Sequence, residues 1–265
     1  MFIHILGSCS GTEPMPGRDY TSWILEEESG KLLWFDAGGI CSSHAYLKGL
    51  NPLKVGAFFL SHPHSDHSAG LHGIIGVIRK EKWLRNDRDG FKVLPCYTAT
   101  PEVVEFAHKL SYLSSQGDEW DFATDVHLID IPGEIYRDEE VAVDTLPNLH
   151  MRLHPETGKN QSWSFRIRNL KTGNATVYTG DVKSLDELAE WLETPTSLLM
   201  LETGHHRADE LCKMIRQRNW PIKNLLFVHH GVEILRDTVG EKAKADAAWG
   251  KPTLFAVDNM VLPFD

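Results

Sequence analysis

The stretch that most restricts how this chain can fold is Ala57–Leu60 followed by His62-Pro63-His64-Ser65-Asp66-His67. A short apolar strand runs straight into a dense cluster of histidine and aspartate. An extended backbone points residues two positions apart the same way, so His62 and His64 can share one focus. Asp66 and His67 then lead into the next helix, read as Ser68–Lys80, and can serve a second ion nearby. Imidazole with carboxylate suits zinc, manganese or iron, not calcium.

Composition agrees with a site of this kind. The chain of 265 residues holds 14 histidines, more than its Met, Tyr or Trp totals. Histidine is the commonest metal ligand and a frequent acid–base group. Hydrophobic residues at 42% and charged residues at 24% are ordinary for a globular protein, and the length suffices for a core without disulfides. The formal net charge of -10 argues against a broad basic nucleic-acid surface. Cys9, Cys41, Cys96 and Cys212 are scattered with no CxxC spacing, which favours reduced structural thiols and a cytoplasmic setting. The start, Met1–Gly7, has no basic segment before an apolar one, so it reads as a strand and not a signal peptide. No apolar run reaches the ~18–20 residues that span a bilayer.

Further strands are expected at Phe2–Leu6, Tyr20–Glu27, Lys31–Asp36, Val93–Tyr97, Val126–Ile131, Glu134–Tyr136, Val141–Leu149, Ser162–Arg168, Asn174–Tyr178, Ser197–Leu201, Asn224–Val228 and Thr253–Val257. Helices are expected at Ser42–Leu50, Pro101–Leu113, Ser184–Glu193 and Arg207–Asn219. The mixed-charge segment Arg79–Asp89 reads as a solvated helix end. Two halves of strands, each followed by helices, suggest two sheets with helices outside, in a single domain over residues 1–265.

The His62–His67 pattern resembles the HxHxDH signature of the metallo-β-lactamase superfamily. Other parts of that family's pattern occur in order. Leu33-Trp34-Phe35-Asp36-Ala37-Gly38 resembles its strand-then-DxG motif, Leu146–His150 its third histidine, Val177–Asp181 its strand-to-Asp motif and Leu225–His230 its final strand-then-His. The resemblance implies an α/β fold, a four-layer αββα sandwich of two mixed β-sheets flanked by helices. It implies two divalent ions, zinc first and manganese or iron next. His62, His64 and His150 would hold one ion; Asp66, His67 and His229 would hold the other, with Asp181 bridging. Asp36 would orient a ligand histidine. His154 stays open as a substitute for His150, and His230 for His229. His4, His44, His72, His108 and His127 match nothing and read as surface or satisfied core residues.

A metal pair implies a hydrolase with an activated water, in which Asp66 also handles the water's proton. Leu201–Glu210 is similar to a ribonuclease Z-like segment, with His205 as catalytic histidine and Glu202 as its orienting carboxylate. The loop Gly7–Arg18 also resembles that branch, and Arg18 could touch a phosphate. The stretch between His150 and Asp181 leaves no room for the long basic arm that grips tRNA in bacterial ribonuclease Z. With the acidic charge, this argues against tRNA. The expected substrate is a small anionic phosphodiester, such as a cyclic nucleotide or cyclic sugar phosphate. Thioester or lactone hydrolysis on the same site is the alternative, and a non-catalytic metal-binding protein is the second. No membrane is expected as a partner, and a homodimer stays open.

Overall fold

A computed structural model describes residues 1–11, 15–115 and 119–264. The chain divides into two compact units, each assembled from separated segments. The first takes in Met1–Gly7, Asp19–Ile129 and Asp258–Phe264; the second takes in Ser8–Arg18 and Asp130–Val257.

The first unit is built on β1 (Phe2–Gly7), β2 (Ser22–Glu26), β3 (Leu32–Phe35), β4 (Val55–Phe59), β5 (Val93–Thr98), β6 (Ala123–Leu128) and β14 (Val261–Pro263). Strand order is β14-β1-β2-β3-β4-β5-β6. The pairings from β14 to β3 are antiparallel and those from β3 to β6 are parallel. Helices α1 (Cys41–Leu47), α2 (Ser65–Ser68), α3 (Leu71–Arg85) and α4 (Pro101–Ser115) lie in the connections. Alternation along the strands divides the side chains between two faces. Ile24, Trp34, Phe58 and Cys96 pack with Leu71, Ile74 and Ile78 of α3. On the opposite face Trp23, Phe35, Phe59, Tyr97 and His127 stack in a row across five strands, with successive centroids 4.1, 4.7, 4.9 and 4.5 Å apart. Such aromatic pairs lock register between neighbouring strands.

The second unit holds β7 (Gly133–Arg137), β8 (Val141–Pro147), β9 (Trp163–Asn169), β10 (Ala175–Tyr178), β11 (Thr196–Thr203), β12 (Ile222–His230) and β13 (Leu254–Phe255). The order is β13-β12-β11-β10-β9-β8-β7, antiparallel from β7 to β10 and parallel from β10 to β13. Helices α5 (Ala189–Leu192), α6 (Ala208–Arg218), α7 (Val232–Arg236) and α8 (Thr238–Trp249) belong here. Val177, Leu199, Leu225 and Phe227 pack with Leu211, Ile215, Ala245 and Trp249 of α6 and α8.

Three sequence expectations change. No element is expected between His230 and Thr253, yet this stretch forms α7 and α8. Only Glu241, Ala245 and Trp249 of α8 are buried, a stripe of every fourth residue too narrow to register as an apolar period. Ser184–Glu193 divides into a 3-10 turn, Leu185–Leu188, capped by Ser184, followed by α5. Arg79–Asp89 is not a solvated end, because α3 runs through Arg85 and buries Arg79, Glu81 and Lys82. Arg79 donates to Ser111 O at 2.6 Å and pairs with Asp121 at 3.0 Å, while Lys82 donates to Phe91 O. The long stems pack as hydrocarbon and the charged heads are satisfied at their tips.

Candidate metal centre

In the first unit the site grows from the ends of two parallel strands. Asp36 follows β3 directly, takes a left-handed backbone with φ 54° and is fully buried. The side chain accepts from Ser61 N at 2.7 Å and Ser61 Oγ at 2.8 Å, and lies 2.8 Å from His67 Nδ1. A carboxylate only accepts, so His67 carries its hydrogen on Nδ1 and keeps the Nε2 lone pair. Ser61 and His62 lie in the turn after β4, where His62 Nε2 and His64 Nδ1 come to 3.0 Å and the His62 and His67 rings to 4.1 Å. Asp66 Oδ2 lies 3.7 Å from His67 Nε2. Gly38 is needed here for space: a Cβ would sit 2.4 Å from Asp66 O. The first unit thus gathers His62, His64, Asp66 and His67 and orients His67 with Asp36.

In the second unit each residue arrives on a different strand end. Asp181 follows β10 and Gly180, which has φ 54°. His229 near the end of β12 has φ 51°, a strained conformation for histidine. Its Nδ1 lies 3.0 Å from Asp181 Oδ1. His150, after β8, brings Nε2 to 3.6 Å from Asp181 Oδ2. Glu202 at the end of β11 accepts from the His205 backbone N–H at 2.9 Å and lies 3.1 Å from His205 Nδ1. His205 Nδ1 is also 3.7 Å from Asp181 Oδ2. Asp181, Glu202 and His229 are all buried, and each offers one ligand atom within 4.8 Å of the others. Two buried carboxylates and an imidazole at this spacing are a donor set for a first-row divalent cation. Such a cation would offset the like charges that the fold has brought together.

The ambiguous histidines have distinct surroundings. His154 Nδ1 receives the backbone N–H groups of Glu156 and Thr157 at 3.3 Å, in a turn. His230 is held by Thr203 Oγ1 at 2.9 Å and Ala256 O at 3.0 Å. Burial pushes its pKa down to about 3, so it stays neutral. His206 Nε2 donates to Val182 O at 2.8 Å. Three of the five unmatched histidines are held by hydrogen bonds to neighbours: His4 by Glu26, His44 by Leu6 O and His72 by Ala69 O. Arg18, expected beside a phosphate, donates to Ser8 Oγ and Ala256 O, both at 2.9 Å. The loop it belongs to is bonded to the end of β12 through Ser10 N to His230 O and His230 N to Ser8 O. Thr12, Glu13 and Pro14 of that loop lie outside the described residues. All four cysteines are buried, and burial raises the thiols of Cys41, Cys96 and Cys212 to about 12.

Sequence reading overlooked Arg152 and Lys183, which line a cavity beside His205. A cation two positions after each of His150 and Asp181 was the available signal.

The fold and these residues define a metal-dependent hydrolase of the metallo-β-lactamase type. A family model described as Beta-lactamase superfamily domain matches residues 43–241, and the chain belongs to that superfamily. Similarity runs toward its ribonuclease Z-like branch. Ribonuclease Z of Treponema pallidum is 42% identical over 71 residues, which are 27% of this chain and 22% of that protein. The chain therefore matches less than a quarter of that relative's length. Ribonuclease Z of Pyrococcus abyssi is 22% identical over 262 residues, covering 83% of both proteins. Human tRNase Z, short form, has the same fold, with a TM-score of 0.71 at 17% identity over 99% of each chain.

These relatives overturn the expectation that tRNA is excluded as a partner. The Pyrococcus abyssi ribonuclease Z aligns with 83% of this chain, and the human tRNase Z structure matches 99% of it in fold. The exclusion leaned on net charge, which averages over the whole surface and hides local cationic ground such as Arg152 and Lys183. It also leaned on the missing arm, which is one means of holding RNA and not a requirement of the chemistry. Among the described residues, no helix is long and apolar enough to cross a membrane.

Proposed function

We propose that this chain is a dinuclear, metal-dependent phosphodiesterase. The observation that carries the reading is the Glu202–His205 pair beside Asp181 and His229 in the second unit. Two divalent ions, zinc by preference, would be held by His62, His64 and His150 and by Asp66, His67 and His229, with Asp181 common to both. When bound, such ions supply Lewis acidity toward a phosphoryl oxygen and lower the pKa of water.

The chain's own groups do the rest. Asp66 takes the proton of the attacking water on a carboxylate oxygen. Glu202 accepts the hydrogen of His205 Nδ1 and so sets the tautomer and ring plane. His205 Nε2 then carries the proton that the leaving alkoxide needs, and the Glu202 charge stabilises the imidazolium. A thiolate leaves without such a donor, so this pair favours an oxygen ester over a thioester. Phosphodiester cleavage is the proposed reaction, and both a cyclic nucleotide and the 3′ end of an RNA present that bond.

Zinc- or manganese-loaded protein is expected to hydrolyse bis-p-nitrophenyl phosphate, and a 2′,3′-cyclic nucleotide or a 3′-extended tRNA precursor. Turnover of thioesters or lactones with every phosphodiester inert would overturn the proposal.

A further inference from the structure

We propose that Arg152 and Lys183 form an anion subsite that selects a phosphodiester flanked by a second phosphate, as in a nucleotide or an oligonucleotide end. This deepens the phosphodiesterase reading and rests on it.

The second unit contains a cavity of about 790 Å³ that Arg152, Lys183 and His205 line together. Among the described residues its lining holds no carboxylate, in a chain of net charge -10. Several exposed cations of this unit are paired: Lys159 with Asp130 at 2.8 Å, Arg168 with Asp144 at 2.7 Å and Lys213 with Asp209 at 2.5 Å. Arg152 and Lys183 make no ion pair with another described residue and share one carboxylate-free cavity. Each follows a proposed ligand by two positions, Arg152 after His150 and Lys183 after Asp181, so the chain ties both cations to the reacting end of the unit.

The charges suit a particular ligand. An isolated diester carries one negative charge, already met at the proposed centre. Two additional fixed cations outside it call for a further anion. A guanidinium fits phosphate oxygens in a fork, and an ammonium acts as a point charge beside it. The same cavity wall exposes Leu149 and Leu153, 61% and 55% accessible, with Met151 between them. An apolar ledge next to two cations suits a nucleotide, whose base would bury apolar surface on it while the phosphate meets the cations.

The test is equilibrium binding by calorimetry, on the protein as isolated, and needs no turnover. Adenosine 3′,5′-bisphosphate, adenosine 5′-monophosphate and inorganic phosphate are the probes. The bisphosphate is expected to bind about tenfold or more tightly than the monophosphate, the effect of one additional charge-assisted contact set. In the double variant Arg152→Gln, Lys183→Gln that preference should vanish, and Arg152→Lys, Lys183→Arg should restore part of it. Melting temperature, unchanged for substitutions at two exposed positions, controls for folding. An unchanged preference in the double variant overturns the subsite, as does equal binding of both nucleotides by the parent protein. Inorganic phosphate binding as tightly as the bisphosphate also overturns it. Because binding is read directly, absence of the preference in the parent protein beside intact phosphodiester turnover refutes the subsite alone. Inert phosphodiesters beside an intact preference refute the hydrolase reading alone.

Discussion

The two units share one strand plan and use it differently. In each, seven strands follow chain order with a single departure, β14, and half the pairings are antiparallel and half parallel. Both put their functional residues at the carboxyl ends of strands, where open α/β sheets bind ligands. In the first unit, one turn after β4 supplies His62, His64, Asp66 and His67, and a buried aspartate, Asp36, is consumed in bracing it. In the second, the ends of β8, β10, β11 and β12 supply His150, Asp181, Glu202 with His205, and His229, and the buried aspartate sits among imidazoles. A local turn can be preorganised by one residue. A dispersed set is only as precise as the packing of the strands that carry it.

The largest expected effect lies in the second unit. His205→Ala should lower kcat on a 2′,3′-cyclic nucleotide by ~10²–10⁴-fold if the ring delivers a proton to the leaving alkoxide. It should affect bis-p-nitrophenyl phosphate, whose phenolate leaves unaided, far less. Glu202→Gln should cost less, because the ring remains. Equal kinetics on the cyclic nucleotide for His205→Ala and the parent would remove the proposed acid.

The next test separates the two aspartates. Asp36→Ala leaves Ser61 N–H and His67 Nδ1–H buried without their acceptor, which should cost about 1–3 kcal/mol in the presence of EDTA. It should also weaken metal affinity by ~10–100-fold through the loosened His67. Asp181→Ala should abolish tight metal binding, yet leave EDTA-treated protein as stable or more so, since it relieves repulsion with Glu202. Thermal unfolding with and without metal reads both. If the two variants lose stability alike in EDTA, the contrast between bracing and binding carboxylates fails.

The smallest effect is alkaline. Cys41 and Cys96 of the first unit have thiols raised from 9.0 to about 12, mainly by desolvation. The unfolded chain loses these protons first, so the folded state binds more protons above pH 9. Their contribution is complete below pH 9 and is lost as pH rises toward 12. Melting temperatures between pH 8 and 10.5 should fall less steeply in Cys41→Ala, Cys96→Ala than in the parent. An identical slope would mean that these thiols ionise as freely folded as unfolded.

Much of the fold was legible because its signals are local. The strands Tyr20–Glu27 and Lys31–Asp36, the strand ending at Leu60 and the helix opened by Pro101 rest on a few adjacent residues each. Arg79 and Lys82 were misread because a charged residue carries no mark of the partner that will bury it. α8 escaped because its buried stripe is narrow and most of its other positions are Ala, Lys and Asp. The site divides in the same way. His62–His67 reads directly, whereas Glu202 with His205 became visible only through a family pattern, and Arg152 and Lys183 through neither.

By itself the sequence determined the metal-ligand turn, the alternation of strands and helices, and the membership that the family model reports. Those depend on residue type and short spacing, which a chain carries before it folds. Tertiary structure decided which of two adjacent histidines turns toward Asp181. Backbone strain at His229 and the bonds of His230 to Thr203 and Ala256 separate them, and neither is written in the pair His-His. It also decided that an acidic chain holds a cavity with two cations and no carboxylate among its described lining residues. Net charge is a sum over all residues, whereas recognition depends on where a few of them stand.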